Sequence, residues 1–353
     1  MKEQQQLTGT IIVGGIDAHS NTHHVAALDS SGRRLGSQEF TASTRGYQDA
    51  LDWLGHFGVI DKIGIESTGS YAAGLTRFLL ARGVEVVEVN QPHPHLRACR
   101  GKDDAIDAEA AAMKALSGQA AVVPKITTGV VESIRILRVG RDSAIRSRTR
   151  AQLQLRDLLI TAPAELREQV TERTTAALIE RCAGLRPERY NIADPFHATK
   201  YALRTLAKRV LDLTAEIRDV DVVLEELVAQ TAPTLISKLA IGTGHAAQLL
   251  VTAGQNIDRL HSEAAFARLC GVAPIPVSSG KTQRMRLHRG GDRQANATLH
   301  MIAVCRLRYH EPTIAYAQRR LAEGLSKKDV LRCLKRFIAR EVYHDLKSDL
   351  GLT

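Results

Sequence analysis

The sequence predicts an α/β domain at the N-terminus followed by a mainly helical remainder, α/β plus α in class. Three observations point there. Short β-branched runs alternate with helical spacing as far as about residue 116. Carboxylates in that stretch fall where a run ends or a helix begins. From residue 129 onward strand signals thin out, and apolar seams spaced by three and four take over.

Residues 11–16 (IIVGGI) read as a buried strand that ends at Asp17. Strand candidates at 23–28 and 33–40 are separated by Asp29-Ser30-Ser31-Gly32. That is turn chemistry, so the first three strands should form an antiparallel meander. Tyr47, Leu51 and Leu54 space a helix over 46–57, and residues 62–65 form a strand delivering Glu66 at its carboxyl end. A helix over 71–82 stops at Gly83, and a fifth strand covers 84–89. A loop with Pro92, His93, Pro94 and His95 then leads to GKDDAIDA at 101–108. Its Asp103, Asp104 and Asp107 open a helix rich in Ala, Met, Lys and Leu, where the dipole favours negative charge. The order β-β-β-α-β-α-β-α is the ribonuclease-H-like arrangement. In open α/β sheets chemistry gathers at the carboxyl ends of strands. Asp17, Glu66 and the helix aspartates can therefore converge. Each alone reads as a turn residue or a cap, but all of them in this order read as a carboxylate site.

At 353 residues the chain exceeds one compact core, so two or three domains are expected. Aromatics are only 4%, which argues against platforms of stacked bases. A net charge of +10 points to a polyanionic partner. The five cysteines lie far apart without a CxxC pair, which argues for reduced thiols in a cytoplasm and against a zinc ribbon. No run approaches a membrane span, and the N-terminal MKEQQQLTG does not read as a signal peptide.

Between 135 and 156 seven arginines face one acid, Asp142. With a second seam over 204–228 this suggests an antiparallel helical (coiled-coil) arm spanning 129–233. Its Arg135, Arg138, Arg146, Arg148 and Arg150 are candidates for nucleic-acid contact. A third segment, 234–353, opens with a Gly-x-Gly turn at 242–244 that leads into a helix. Its later Val277-Ser278-Ser279-Gly280-Lys281 is followed by Arg284, Arg286, Arg289 and Arg293, a second basic cluster.

With GIDAHS, GIES, KDDAID and SSGK in hand, the chain resembles the DEDD recombinases: Piv-type DNA invertases and the bridge-RNA-guided transposases of a related insertion-sequence group. The likeness runs nearly the whole length in the same order. It implies a RuvC-like catalytic domain (1–128), the arm (129–233), and a mainly helical C-terminal transposase domain with a catalytic serine (234–353). It places the acidic tetrad on Asp17, Glu66, Asp104 and Asp107. Asp103 stands where the family has Thr or Ser, so Asp103 and Asp104 both remain candidates. The serine falls on Ser279, after Gly271-Val272-Ala273-Pro274, with Ser278 beside it. Also implied are Mg²⁺ (or Mn²⁺), double-stranded donor and target DNA, a structured guide RNA and a homo-oligomer, dimer or tetramer. The expected function is a transposase or site-specific recombinase that forms a covalent phosphoserine–DNA intermediate. The alternative is a metal-dependent, junction-resolving nuclease, which needs the tetrad and no serine. Chemically, carboxylates suit hard divalent ions, and Lys281, Arg284 and Arg286 can hold a phosphate for a nearby hydroxyl.

Overall fold

The computed structural model describes residues 9–66, 68–89, 103–118, 122–280, 282–288 and 290–351. Lys281 and Arg289 of the basic cluster, the 92–95 loop, and Gly101 and Lys102 lie outside the described residues. The chain divides into two compact units, one drawn from 1–131 and 252–292, the other from 132–251 and 293–351.

The first unit is built on a five-stranded sheet of β1 (Ile11–Ala18), β2 (Thr22–Asp29), β3 (Arg34–Thr41), β4 (Val59–Glu66) and β5 (Glu85–Val89), in the order β3-β2-β1-β4-β5. β1, β2 and β3 form the expected antiparallel meander. Its second turn is organised by Asp29, whose carboxylate accepts from the Ser31 amide and hydroxyl and from the Arg33 amide and Nε. Those donors, the Ser31 hydroxyl foremost, hold the Asp29 carboxyl at about 2. β4 and β5 extend the sheet in parallel, by way of α1 (Thr44–Gly55) and α2 (Ala73–Leu80).

The strands' two-residue period sorts the faces. Ile12, Ile16, Val25, Ala27, Ile63 and Ile65 pack with Ala50 and Leu54 of α1 and with Leu75 and Leu79 of α2. The opposite face puts Val13, Leu28 and Val87 against Ala112 and Ala115 of α3 (Asp104–Leu116). There the backbones nearly touch. A Cβ at Gly15 would lie 2.1 Å from the Ala108 carbonyl oxygen and 2.3 Å from the Ala112 nitrogen, and one at Gly64 would lie 2.4 Å from the Ala111 oxygen. Only side-chain-free strand positions admit a helix this close, and the buried face of α3 is correspondingly all alanine at 108, 111, 112 and 115.

Along the chain follow α4 (Gly129–Ile160), α5 (Ala164–Val170), α6 (Thr175–Ala183), α7 (Pro195–Thr231), α8 (Pro233–Ile236), α9 (Thr243–Ala253) and α10 (Glu263–Leu269). A hairpin, β6 (Pro274–Ser279) and β7 (Thr282–Leu287), comes next, then α11 (Arg293–Tyr309), α12 (Glu311–Ala322) and α13 (Lys327–Asp349). In the second unit α4 and α7 run antiparallel. Arg141 pairs with Asp221 near one end, and Ala151 and Leu155 pack with Leu203, Ala207 and Val210 near the other. The buried Arg306 holds α11 to α13 through both oxygens of Glu341, at 2.7 and 2.9 Å, and donates to the Leu239 carbonyl. Among the described residues no helix is long and apolar enough to cross a membrane.

The glycine–alanine contact sets a clear expectation. In Gly15→Ala the new methyl meets backbone atoms that cannot rotate away, so thermal unfolding should report a loss of about 2–3 kcal/mol. Gly55→Ala, where nothing lies within 4 Å, should leave the melting temperature unchanged or slightly raised.

Candidate active site

Asp17 lies two residues beyond Gly15 and Glu66 two beyond Gly64, so both carry the parity of the face covered by α3. Ile16 and Ile65 are partners in the parallel β1–β4 ladder, which makes Asp17 and Glu66 the next positions along two adjacent strands. α3 runs against the direction of β1, with Ala112 over Val13 and Gly15 and Ala108 over Gly15. Its N-terminus therefore points to the carboxyl ends of the strands. Asp104 precedes Ala108 by one turn, and Asp107 precedes Ala111 by one turn. Asp107 is buried.

One side chain measures how closely two of these elements meet. His19 Nε2 lies 3.4 Å from Asp17 Oδ2 and 3.3 Å from Asp104 Oδ2. Asp103, by contrast, is the exposed, extended N-cap of α3, and its side chain makes no capping hydrogen bond. Of the two aspartates left open by the motif, Asp104 is the one that reaches the strand end. His19 has no assigned role in the sequence reading. Its available signal is position alone, two residues past Asp17 in the turn that follows the strand.

A polar chain flanks this corner. His24, the cross-strand partner of Asp17, has its Nε2 3.0 Å from Ser37 Oγ, to which Arg34 also donates at 2.7 Å. Arg34 Nη1 lies 3.5 Å from Oε2 of the buried Glu109 on α3. The chain ties α3 to the outer strand β3.

Ser279 is the last residue of β6 and pairs with Thr282 across a two-residue turn whose first position, Gly280, has φ +56°. That positive φ suits the primed turns of tight hairpins. Partners in an antiparallel ladder share a face, so positions 275, 277, 279, 282, 284 and 286 lie on one side. Ser279 thus shares its side with the ladder positions of Arg284 and Arg286, whereas Ser278 belongs to the side of positions 274, 276, 283, 285 and 287. Both serines, and Arg286, are exposed. Pro274 and Pro276 occupy the other parity, where a missing N–H costs no bond to β7.

The hairpin's segment is fastened to the sheet unit at its root. Asn256 receives the Ile126 amide on Oδ1 at 3.0 Å and donates from Nδ2 to the Pro124 carbonyl at 3.0 Å. Gln255 Oε1 accepts from the Val131 amide at 3.2 Å. Thr252 donates to Asp292 at 2.6 Å, and the Asp292 amide reaches the Leu269 carbonyl, closing the segment on itself.

The basic residues divide. Arg135 makes a two-pronged bond to Glu132, and Arg138 donates to the Gly244 carbonyl and to Gln248, so both brace the second unit. Arg146 and Arg150 are exposed on α4, Arg148 is half-buried, and Arg293 is exposed at the start of α11.

Two family models match the chain. One for DEDD transposases of the IS110 type covers residues 14–162, the stretch that contains Asp17, Glu66, Asp104 and Asp107. The other, for transposases of the IS116/IS110/IS902 family, covers 233–318 and takes in the serine hairpin. The chain belongs to the DEDD transposase family. No curated protein matches it. This transposase is thus an enzyme of DNA recombination belonging to an insertion sequence, and its family works with a divalent metal. The donor set fits one: Asp17, His19 and Asp104 each offer a ligand atom within 4.8 Å of the others.

The Asn256 clamp is testable. Asn256→Ala removes two hydrogen bonds to backbone, which should cost roughly 2 kcal/mol. Hydrogen exchange should quicken in 122–131 and 252–292 and stay unchanged in α7.

Proposed function

We propose that this transposase cuts and rejoins DNA through a covalent serine–phosphate link, with Asp17, Glu66, Asp104 and Asp107 holding Mg²⁺ or Mn²⁺ and Ser279 as the nucleophile. The observation that carries the reading is strand parity. It sets Asp17 and Glu66 on the face reached by the aspartate helix, and it sets Ser279, not Ser278, on the side of the basic positions 284 and 286.

Divalent ions at such a site stabilise the attacking and leaving oxygens of an in-line displacement. Ser279 Oγ attacks phosphorus and gives up its proton. A serine–phosphate ester forms as the phosphorus–sugar oxygen bond breaks, and the sugar hydroxyl departs with a proton. Attack by the hydroxyl of another strand reverses the step, rejoins DNA and restores the serine. Arg286 and its basic neighbours hold the phosphate and offset its developing charge.

The functional division we propose is catalytic domain 1–128, arm 129–233 as an antiparallel coiled coil of α4 and α7, and C-terminal transposase domain 234–353. The arm's exposed Arg146 and Arg150, with Arg148, suit the backbone of a structured bridge RNA. Double-stranded DNA serves as donor and target, acted on by a homo-oligomer in the cytoplasm.

Denaturing gels of cleavage reactions test the chemistry. Wild-type protein should leave DNA covalently attached; Ser279→Ala should abolish the adduct while DNA binding persists, and Ser278→Ala should retain it. Free ends at all times would point instead to a junction-resolving nuclease. Asn at position 17, 66, 104 or 107 should lower cleavage by more than about 100-fold. Charge reversal of Arg146, Arg148 and Arg150 should flatten the salt dependence of RNA binding by about one slope unit per lost phosphate contact. An unchanged slope would remove this helix from the interface.

A further inference from the structure

We propose that His19 is a nitrogen ligand of the ion held by Asp17 and Asp104, so that this position takes a first-row transition ion such as Mn²⁺ or Co²⁺ in preference to Mg²⁺. The inference rests on the metal site proposed above and adds a ligand that the acidic tetrad lacks.

Geometry carries it. His19 follows β1 directly, and its backbone N–H is bound to the Thr22 carbonyl at 2.9 Å, in the turn that leads into β2. The turn directs the imidazole back over the strand end. There Nε2 stands 3.4 Å from Asp17 Oδ2 and 3.3 Å from Asp104 Oδ2. Ligands bonded at ~2.1 Å sit ~3.0 Å apart along an octahedral edge and ~3.4 Å apart along a tetrahedral one. Both separations are therefore those of neighbouring ligands on one ion, or within a few tenths of an ångström of them. The three residues come from β1, the turn after it and α3, so closing them on an ion needs side-chain adjustment and no movement of the sheet. His19 is also half-exposed at 48%, which leaves the far side of the site open to water and to a phosphate.

Donor chemistry sets the preference. Mg²⁺ takes carboxylates, water and phosphate oxygens, whereas first-row ions accept an imidazole nitrogen more readily, with affinity rising from Mn²⁺ to Co²⁺ and Ni²⁺. A tetrad of carboxylates alone would not separate these metals strongly; one nitrogen at the strand end does. The competing account makes His19 a cation that bridges two carboxylates and must be displaced before metal enters. The two accounts predict opposite signs. A ligand's removal weakens binding, whereas a competitor's removal strengthens it.

The experiment is calorimetric titration of the full chain with Mn²⁺ and with Mg²⁺, for wild type, His19→Ala and Asp104→Asn, with circular dichroism to verify folding. Electron paramagnetic resonance of bound Mn²⁺ supplies an independent readout. Wild type should bind Mn²⁺ more tightly than Mg²⁺ and show ¹⁴N coupling to Mn²⁺. His19→Ala should lose at least tenfold in Mn²⁺ affinity, lose little for Mg²⁺, and lose the nitrogen coupling. Unchanged or tighter Mn²⁺ binding in His19→Ala, or absence of ¹⁴N coupling in wild type, overturns the proposal. If Asp104→Asn abolishes Mn²⁺ binding while His19→Ala does not, only the role of His19 fails. If Asp104→Asn binds as wild type does, the carboxylate site fails and His19's role falls with it.

Discussion

The contact between bare strand and bare helix at Gly15 and Gly64 is the constraint on which the sheet unit depends. Helices usually stand about 10 Å from the sheet they cover because side chains fill the gap. Here the Ala108 oxygen and the Ala112 nitrogen approach so closely that a single methyl on Gly15 would overlap them. The close approach lowers the N-terminus of α3 to the level of the strand ends, where Asp104 and Asp17 both reach His19. The site is thus positioned by what is missing from the interface as much as by what is present. The Arg34–Glu109 pair adds a second tie, between α3 and the outer strand β3.

Much of the unit is legible in the sequence because its signals are local. Each of the five expected strands is found, with bounds moved by three residues at most, because β-branched runs between turn residues are a local property. Asp17, Glu66 and the helix aspartates are readable for the same reason, since each ends or begins an element. Gly15 is different: as part of a Gly-Gly string it is only an interruption in a strand, and its purpose lies in a helix some ninety residues on. The β6–β7 hairpin was also hidden, since prolines at 274 and 276 argue against a strand until their shared parity is known. Asn256 has no local signature at all, because its partners at 124 and 126 are recognised only after folding.

The arginine-rich stretch shows how charge misleads when counted by window. Its seven arginines suggest one uniform basic face, yet those near its beginning are engaged within the protein while Arg146 and Arg150 are exposed. Arg135, Arg138 and Arg141 bind Glu132, Gln248 and Asp221, and so act as braces within the helical unit. Arg146 and Arg150, further along, face solvent. The i,i+3 pair with Glu132 is a pattern that sequence displays. The bonds to Gln248 and Asp221 are long-range.

The sheet unit's discontinuity reaches beyond its architecture. Its last piece, 252–292, is synthesised only after the long pair α4 and α7 has emerged, so the backbone groups of Ile126 and Val131 wait for Asn256 and Gln255 until most of the chain exists. Contacts of such separation are entropically costly and close late. The sheet and its carboxylates can assemble first on the ribosome, and the hairpin that carries Ser279 can dock at its root only after α4 and α7 have been made. A chain cut short before residue 252 therefore lacks both the hairpin and the side chains that clamp its root.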